Sequence, residues 1–310
     1  MRAIFFGMPE FAVNPLKNLI NSERHKIVAV VTQPDRPVGR KAVITPPPVK
    51  VEAQKFGIPV YQFENLKTEG AETLKKIDAD IMITCAYGQI LTQEIIDICK
   101  FGIINVHASL LPLYRGAAPI QYAIINGEKK TGITFMQTDI GLDTGDIIKQ
   151  YEVEIKNGET YGELSERLSV LASEKICGVL DEIERGTAKK TRQNSAVAST
   201  VKTIKKQDCL IDFTKNFEQV ANLINGLNPQ PVAFTFLNGK TVKIYRARPL
   251  DLETEGKAGE TVLCDKKLVL SCGSGCVEVL EIQEEGGIKM PASAFIAGRK
   301  VRKGDVFGDR

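Results

Sequence analysis

Polar side chains suited to acyl-transfer chemistry fall in two short stretches of the chain. In NVHASLLP, Asn105 and His107 lie two positions apart, so in a strand both side chains would face the same side. In TDIGLDTGDII, three Asp residues alternate with glycines that are typical of a loop. An amide can donate to a developing oxyanion and an imidazole can carry a proton near neutral pH. If one Asp reaches His107, the set predicts acyl transfer to an amine.

The sequence offers no persuasive nucleophile for a covalent intermediate. The GSG at 273–275 lacks the strand, turn and helix that a nucleophile elbow requires. Direct transfer is therefore the simpler prediction. A hydrogen-bonded histidine at a strand end is the structural alternative for His107.

The elements that must position these groups follow an alternating order in the first part of the chain. Apolar strands such as RAIFFG, KIVAVVTQP, DADIMITCAYG and GIINVHASLLP alternate with stretches of helical spacing, up to the long YGELSERLSVLASEKICGVLDEIE. This order predicts an α/β fold, with a Rossmann-like, mostly parallel sheet over residues 1–188. Such sheets bind ligands at the carboxyl ends of their strands, where Asn105 and His107 are expected.

The rest of the chain has a different pattern. Residues 189–208 lose hydrophobic periodicity and are basic, which indicates a linker. Residues 209–310 begin with a helix and continue with short strands, including a hairpin signal at the Asn-Gly of TFLNGKTV. These features predict a small β-barrel as a second domain.

Bulk composition narrows the class of protein. The 310 residues are 43% hydrophobic and 25% charged, as in ordinary globular proteins. No apolar run is long enough to span a membrane. The seven scattered cysteines form no CxxC pair, which favours neither a zinc site nor a disulfide framework. We therefore expect a cytoplasmic protein that has no bound metal.

Positive charge is concentrated in two segments. Residues 186–208 hold six Lys or Arg against one acidic residue, although the whole chain is only +3. A proline-rich stretch carries a second set, namely Arg36, Arg40, Lys41 and Lys50. Such segments are usually solvated surface, but two of them indicate a polyanionic partner.

The sequence resembles the 10-formyltetrahydrofolate-dependent formyltransferase family. The resemblance rests on Asn105–Val106–His107, the following Ser-Leu-Leu-Pro, and GLDTGD at 141–146. Within this family, FFGMPEFAV, TQPDRPVGR, PPPVK, AYGQIL, YRGAAPIQ and GLNPQPVAFTFLNGKTVKIYRA resemble the methionyl-tRNA formyltransferases. The resemblance implies formyl transfer from 10-formyltetrahydrofolate to the α-amino group of initiator Met-tRNA. It also implies that the second domain is OB-like. Separately, we expect the protein to be a monomer.

The resemblance also assigns roles to residues. Asn105 and His107 would stabilise the tetrahedral oxyanion, and Asp143 would accept or relay the amine proton. The folate pocket would be lined by the turn after the fourth strand and by backbone that follows the third, namely Ser109, Leu110, Leu111, Pro112, Tyr87 and Gly88. Three residues depart from the commoner pattern: Met8, Glu10 and Leu113.

The same resemblance makes tRNA the expected polyanion. The expected contacts are Arg36, Arg40, Lys41 and Lys206, with further cations near the hairpin at Lys240, Lys243, Arg246 and Arg248. Two alternatives remain open. A sugar-nucleotide amine formyltransferase of the same superfamily would not need the basic segments. A folate- or tRNA-binding module without turnover would not need the Asn, His and Asp set.

Overall fold

The structure is a computed structural model that describes residues 1–39 and 41–308. It contains two compact units. The first unit comprises Met1–Ala117, Gly132–Val153 and Ser165–Val201, and the second comprises Ala118–Thr131, Glu154–Leu164 and the chain from Lys202 onward. The second unit thus includes two short segments from the part of the chain assigned above to the catalytic domain. The functional boundaries at residues 188 and 208 stay a prediction.

The first part of the chain alternates strands and helices. In chain order these elements are β1 (Arg2–Gly7), α1 (Val13–Ile20), β2 (Lys26–Thr32), β3 (Arg36–Val38), β4 (Val43–Thr45), α2 (Pro48–Lys55), β5 (Val60–Gln62), α3 (Leu66–Leu74), β6 (Ile81–Cys85), α4 (Gln93–Ile96), β7 (Ile103–His107), β8 (Arg115–Gly116), α5 (Pro119–Ile125), β9 (Lys130–Gln137), β10 (Ile147–Glu154) and α6 (Tyr161–Glu184).

Seven of these strands form one sheet in the order β10-β9-β7-β6-β1-β2-β5. The pairs from β7 to β5 are parallel, and β9 pairs antiparallel with β7. The interior strand β1 is buried from Ala3 to Gly7, as expected where helices cover both faces of such a sheet. The predicted α/β class with a mostly parallel sheet is confirmed.

The sequence interpretation missed four elements. The short strands β3 and β4 pair as an exposed antiparallel hairpin within the proline-rich stretch that we interpreted as a loop. Strand β5 is three residues long and α3 has little apolar periodicity. Tertiary pairing rather than local pattern forms these elements, so the sequence gives only a weak signal for them.

The second unit is built around an antiparallel sheet. The remaining elements are β11 (Thr200–Val201), α7 (Phe217–Gly226), β12 (Ala233–Leu237), β13 (Lys240–Leu250), β14 (Thr261–Cys264), β15 (Leu268–Ser271), β16 (Cys276–Glu284), β17 (Met290–Pro291) and α8 (Ala292–Ala297). The sheet order is β12-β13-β16-β15-β14, and β17 pairs with β16. The predicted hairpin is confirmed, since Asn238 and Gly239 adopt positive φ between β12 and β13.

A buried asparagine bonds to the irregular part of β13. The register with β16 shifts between Ile244 and Ala247, so the buried side of β13 continues at Ala247 instead of at residue 246. Asn225, which is 2% exposed on α7, accepts from Ala247 N at 3.1 Å and donates to Ala247 O at 3.0 Å. Its amide therefore satisfies both backbone groups at this register shift.

Within the described residues 1–39 and 41–308, no helix combines the length and apolarity that crossing a membrane would require.

Asn225→Ala is expected to destabilise the second unit by about 2 kcal/mol or more. Each buried polar group left unpaired costs about 1–3 kcal/mol, and the substitution leaves two. Urea unfolding measures the loss. The matched control is Asn222→Ala, on the half-buried side of the same helix, which should cost no more than about 0.5 kcal/mol. Equal midpoints for the two variants would contradict the role given to Asn225.

Candidate active site

Asn105 and His107 lie on the last three residues of β7, at its carboxyl end. The neighbouring strand β6 places Thr84 beside Asn105, and the Thr84 hydroxyl donates to Asn105 Oδ1 at 2.9 Å. Asn105 Nδ2 then lies 3.2 Å from Asp143 Oδ1 and donates to it. Because a carboxylate only accepts, these two partners define the orientation of the amide. The second Nδ2 hydrogen is not used by Asp143.

The His107 ring is buried and contacts a different partner at each nitrogen. Nε2 lies 2.9 Å from the carbonyl oxygen of Tyr114. Since a carbonyl only accepts, Nε2 carries a proton and donates to it. Nδ1 lies 3.6 Å from Asp143 Oδ2, which is an ion-pair distance rather than a hydrogen bond. Nδ1 is therefore the nitrogen at which the ring can gain or lose a proton, beside a carboxylate.

The structure distinguishes the three aspartates of the loop between β9 and β10. Asp143 has a φ of 52°, and its Oδ2 accepts from Gly116 N at 2.8 Å. Asp139 instead holds the loop itself, accepting from Gly141 N at 3.1 Å and Thr144 Oγ1 at 2.7 Å. Gly145 must be glycine, because a Cβ there would lie 1.8 Å from the Gln137 carbonyl oxygen. The loop thus brings Asp143, as expected, to both Asn105 and His107.

The turn after β7 is held by internal hydrogen bonds. Ser109 is fully buried and its Oγ donates to Leu113 O at 2.6 Å. Thr134 Oγ1 on β9 donates to Ser109 O at 2.6 Å and accepts from Leu111 N at 3.1 Å. Ser109 and Leu111 are buried, whereas Leu110 and Pro112 are half-buried. In this structure the Ser109 hydroxyl fixes the turn, so that Leu110 and Pro112 offer the more accessible surface.

Tyr87 and Gly88 follow β6 at the same edge of the sheet. The Tyr87 ring is buried against Phe6, with ring centroids 5.4 Å apart, and burial raises the pKa of the phenol to about 12. Its carbonyl oxygen accepts from Gln33 Nε2 at 2.9 Å. Gly88 is exposed with a φ of 81°. Backbone, rather than the Tyr87 ring, is therefore what this segment presents at the strand ends.

The other histidine, His25, lies away from the candidate active site and is held by contacts within the fold. His25 precedes β2, at the opposite end from that strand's carboxyl terminus, and its Nε2 lies 3.1 Å from Asp181 Oδ1. Burial of the ring lowers the pKa of His25, and the Met1 ammonium acts in the same direction. His25 is thus separate from the group formed by Asn105, His107 and Asp143.

The segment at residues 191–201, which we term the strap, was interpreted from sequence as part of a linker. It is instead bonded to the first unit: Thr191 exchanges two backbone hydrogen bonds of 2.8 Å with Ile147, and β11 pairs in parallel with β8. Gln193 Nε2 donates to the carbonyl of Asp143 at 2.8 Å. Sequence reasoning missed Gln193 because nothing in the local pattern indicates a partner 50 residues away in the chain.

The expected tRNA contacts fall into different environments. Lys41 and Lys206 are exposed, and Arg36 forms an ion pair of 2.6 Å with the equally exposed Glu64. Arg40 lies outside the described residues. Lys50, grouped with them by sequence, binds Asp35 at 2.8 Å and Gln62 at 2.8 Å, so it holds the base of the β3–β4 hairpin.

Most cations of the second unit's hairpin are paired. Arg246 contacts Glu163 at 3.1 Å and donates to the Gly158 carbonyl. Lys240 lies 3.2 Å from Glu284, and Arg248 lies 3.6 Å from Glu278. Lys243 is exposed. The net charge of this hairpin therefore overstates the positive charge available to a ligand.

Known proteins match both parts of the chain. Residues 1–180 match the family described as formyl transferase, and residues 203–300 match the formyl transferase C-terminal domain. The methionyl-tRNA formyltransferase of Citrifermentans bemidjiense is 41% identical over 312 residues, covering 100% of this chain and 97% of the relative. That of Acetivibrio thermocellus is 43% identical over 311 residues, covering 99% and 100%.

A solved structure shares the fold. The N-formyltransferase of Helicobacter canadensis, in complex with folinic acid and dTDP-3-aminofucose, superposes with a TM-score of 0.69 at 21% identity. The match covers 90% of this chain and 98% of that one. At this identity it supports the architecture alone, whereas the two relatives above share much more of the sequence. The chain therefore belongs to the formyl transferase family of enzymes and is a relative, along its whole length, of the methionyl-tRNA formyltransferases.

Proposed function

We propose that this enzyme transfers the formyl group of 10-formyltetrahydrofolate to the α-amino group of methionine on initiator Met-tRNA, by direct attack. The observation that carries the proposal is the contact of Asp143 with both Asn105 and His107. An amide donor, a proton-carrying ring and a carboxylate then meet at the carboxyl end of β7. The relatives that share 41–43% of the sequence supply the acceptor, since both bear the name methionyl-tRNA formyltransferase.

In this mechanism the amine nitrogen attacks the formyl carbon and a tetrahedral oxyanion forms. The second Nδ2 hydrogen of Asn105 donates to that oxyanion, and His107 on the same strand end helps to stabilise it. Asp143 accepts the proton that the amine loses. Collapse breaks the bond from the formyl carbon to N10 of the folate, which takes up the proton that Asp143 accepted, so that Asp143 is again a carboxylate. The net transfer is one formyl group to the amine and one proton to N10.

The folate is proposed to bind at the same edge of the sheet. Half-buried Leu110 and Pro112 offer apolar surface, and the backbone of Tyr87 and Gly88 offers hydrogen-bonding groups. Ser109 and Leu111 contribute by holding the turn. No residue of this set calls for a metal in the chemistry, which needs only proton transfer and hydrogen-bond donors.

The tRNA is proposed to contact two exposed basic regions. One is the β3–β4 hairpin, in which Lys41 lies between the end of β3 at Val38 and the start of β4 at Val43. These two valines are 56% and 58% exposed. The other is the basic segment leading to Lys206. The antiparallel sheet of the second unit, which we propose to be OB-like, would support the body of the tRNA. Action as a cytoplasmic monomer remains our expectation.

The runner-up acceptor is an amino sugar carried on a nucleotide, since the Helicobacter canadensis structure contains one. Direct competition distinguishes the two. Met-tRNA and a dTDP-amino sugar are offered together with 10-formyltetrahydrofolate, and mass spectrometry identifies the formylated product. We expect formylated Met-tRNA; formylated sugar alone would overturn the assignment of the acceptor, and no product at all would favour a binding module.

Asp143→Asn tests the proton acceptor with little change of shape. Asn tolerates the positive φ and can still accept from Gly116 N, but it carries no charge. We expect kcat to fall by about 10²–10⁴-fold, the usual contribution of a general base. The matched control is Asp146→Asn, a half-buried aspartate of the same loop, which should stay within about threefold. Wild-type turnover in folded Asp143→Asn would remove Asp143 from the mechanism.

Lys41→Ala and Lys206→Ala test the tRNA surface. Each is expected to raise KM for Met-tRNA and to reduce the slope of log affinity against log salt by about 1, because each lost phosphate contact releases fewer counterions. KM for the folate should not change. Lys26→Ala, an exposed lysine at the start of β2, serves as the control. Unchanged tRNA affinity and salt slope in both variants would contradict the proposed surface.

A further inference from the structure

The strap contacts both segments on which the candidate active site depends. At its start, Thr191 pairs with Ile147, just after the loop that carries Asp143. At its end, Ser199 Oγ accepts from Tyr114 N at 2.8 Å, and Val201 lies beside Gly116. Gly116 has no room for a side chain, because a Cβ would lie 2.2 Å from the Val201 carbonyl oxygen. The strap is therefore packed closely against the segment at residues 114–117.

Gln193 joins these two segments with a single side chain. Its Nε2 donates to the carbonyl oxygens of Asp143 at 2.8 Å and Gly145 at 2.7 Å. Its Oε1 accepts from Arg115 Nη2 at 2.7 Å and Nε at 3.1 Å. Since Arg115 only donates, Oε1 must face it, and both Nε2 hydrogens must face the loop. Gln193 and Arg115 are 6% and 8% exposed, so water cannot readily replace these bonds.

The residues on either side of Arg115 contact His107 and Asp143, so the link from Gln193 to Arg115 also reaches these two side chains. On one side, the Tyr114 carbonyl accepts from His107 Nε2. On the other side, Gly116 N donates to Asp143 Oδ2. Gln193 thus ties the backbone of the Asp143 loop to the segment that binds both His107 and the Asp143 carboxylate. The separations from Asp143 to Asn105 and to His107 depend on that connection.

We propose that Gln193 is a positioning residue for formyl transfer: its amide holds Asp143 at working distance from Asn105 and His107 without contacting substrate. This inference rests on the proposed function for its kinetic test. It also assigns a role to the strap, which the sequence suggested was only a connection to the second domain.

Two variants remove the Nε2 donor of Gln193 in different ways. Gln193→Leu removes all four hydrogen bonds, whereas Gln193→Glu keeps the shape and the bonds from Arg115 but places an oxygen against the two loop carbonyls. The matched control is Asn194→Ala, at the next position of the strap. Asn194 is exposed, and its side chain only accepts from Ala196 N, so this variant disturbs the strap without reaching the Asp143 loop.

Steady-state kinetics of the full chain provide the first readout. We expect both Gln193 variants to lower kcat about 10²-fold, the effect of displacing a reacting group by about 1 Å. KM for each substrate should stay within about threefold, and Asn194→Ala should behave as wild type. If Gln193→Leu fails to fold, Gln193→Glu decides. A kcat within twofold of wild type in a folded Gln193 variant overturns the proposal.

The second readout needs no substrate. The chain has only two histidines, so their Cε1–H resonances can be assigned with one His25→Gln variant. Displacement of Asp143 should move the His107 resonance in both Gln193 variants and leave that of His25 in place. An unmoved His107 resonance overturns the proposal. If the wild type does not formylate Met-tRNA, the proposed function is wrong and this measurement alone decides the position of Asp143.

Discussion

The contact of one carboxylate with two side chains of a strand end is the constraint on which the rest of the site depends. Asp143 reaches Asn105 at 3.2 Å and His107 at 3.6 Å from a loop 36 residues further along the chain than His107. A loop does not hold such distances by itself, because its backbone has many accessible conformations. The Gly116 N–H, the Asp139 contacts and the Gln193 amide together restrict it to one. The geometry of the candidate site thus depends on hydrogen bonds from residues outside the set of Asn105, His107 and Asp143.

These supporting bonds also define the state of the reacting groups. The Tyr114 carbonyl keeps a proton on His107 Nε2, so the ring exchanges its proton at Nδ1, next to Asp143. The Thr84 hydroxyl binds the amide oxygen of Asn105, which leaves the NH₂ as the group that faces the carboxylate. The strand therefore supplies rigid side chains, and the loop supplies the charge. Because the charge lies on the loop, residues distant in the sequence can set the position of the Asp143 carboxylate without changing the sheet.

Sequence reasoning was strongest where the signal is periodic. The buried strands β1, β2, β6 and β7 and the long α6 were predicted from their apolar patterns, and the fold class followed from their alternation. Asn105 and His107 followed from residue type and spacing at one strand end, whereas the choice of Asp143 among three aspartates came from the family resemblance. The β3–β4 hairpin, β5 and the strap were missed, because their partners are distant in sequence and their side chains show no period. Gln193 is the clearest case, since a glutamine in a basic, polar stretch looks like any solvated residue.

Charge counts illustrate the same difficulty for the surface that we propose binds tRNA. A count treats every cation alike, but a paired cation attracts a phosphate much less than an unpaired one, because its partner carboxylate repels the phosphate. Lys50, Arg246 and Lys240 are bound to Asp35, Glu163 and Glu284, whereas Lys41 lies exposed in a turn and Lys206 lies exposed at the start of a short 3-10 helix. The sequence placed all of them in basic regions, with Lys41 and Lys206 as expected contacts and the hairpin cations as further candidates. The structure divides them by partner, so the two exposed lysines, rather than the basic hairpin of the second unit, are the better candidates for the proposed tRNA surface. A tRNA surface on this enzyme would then depend on few charges, which makes the contribution of each one measurable.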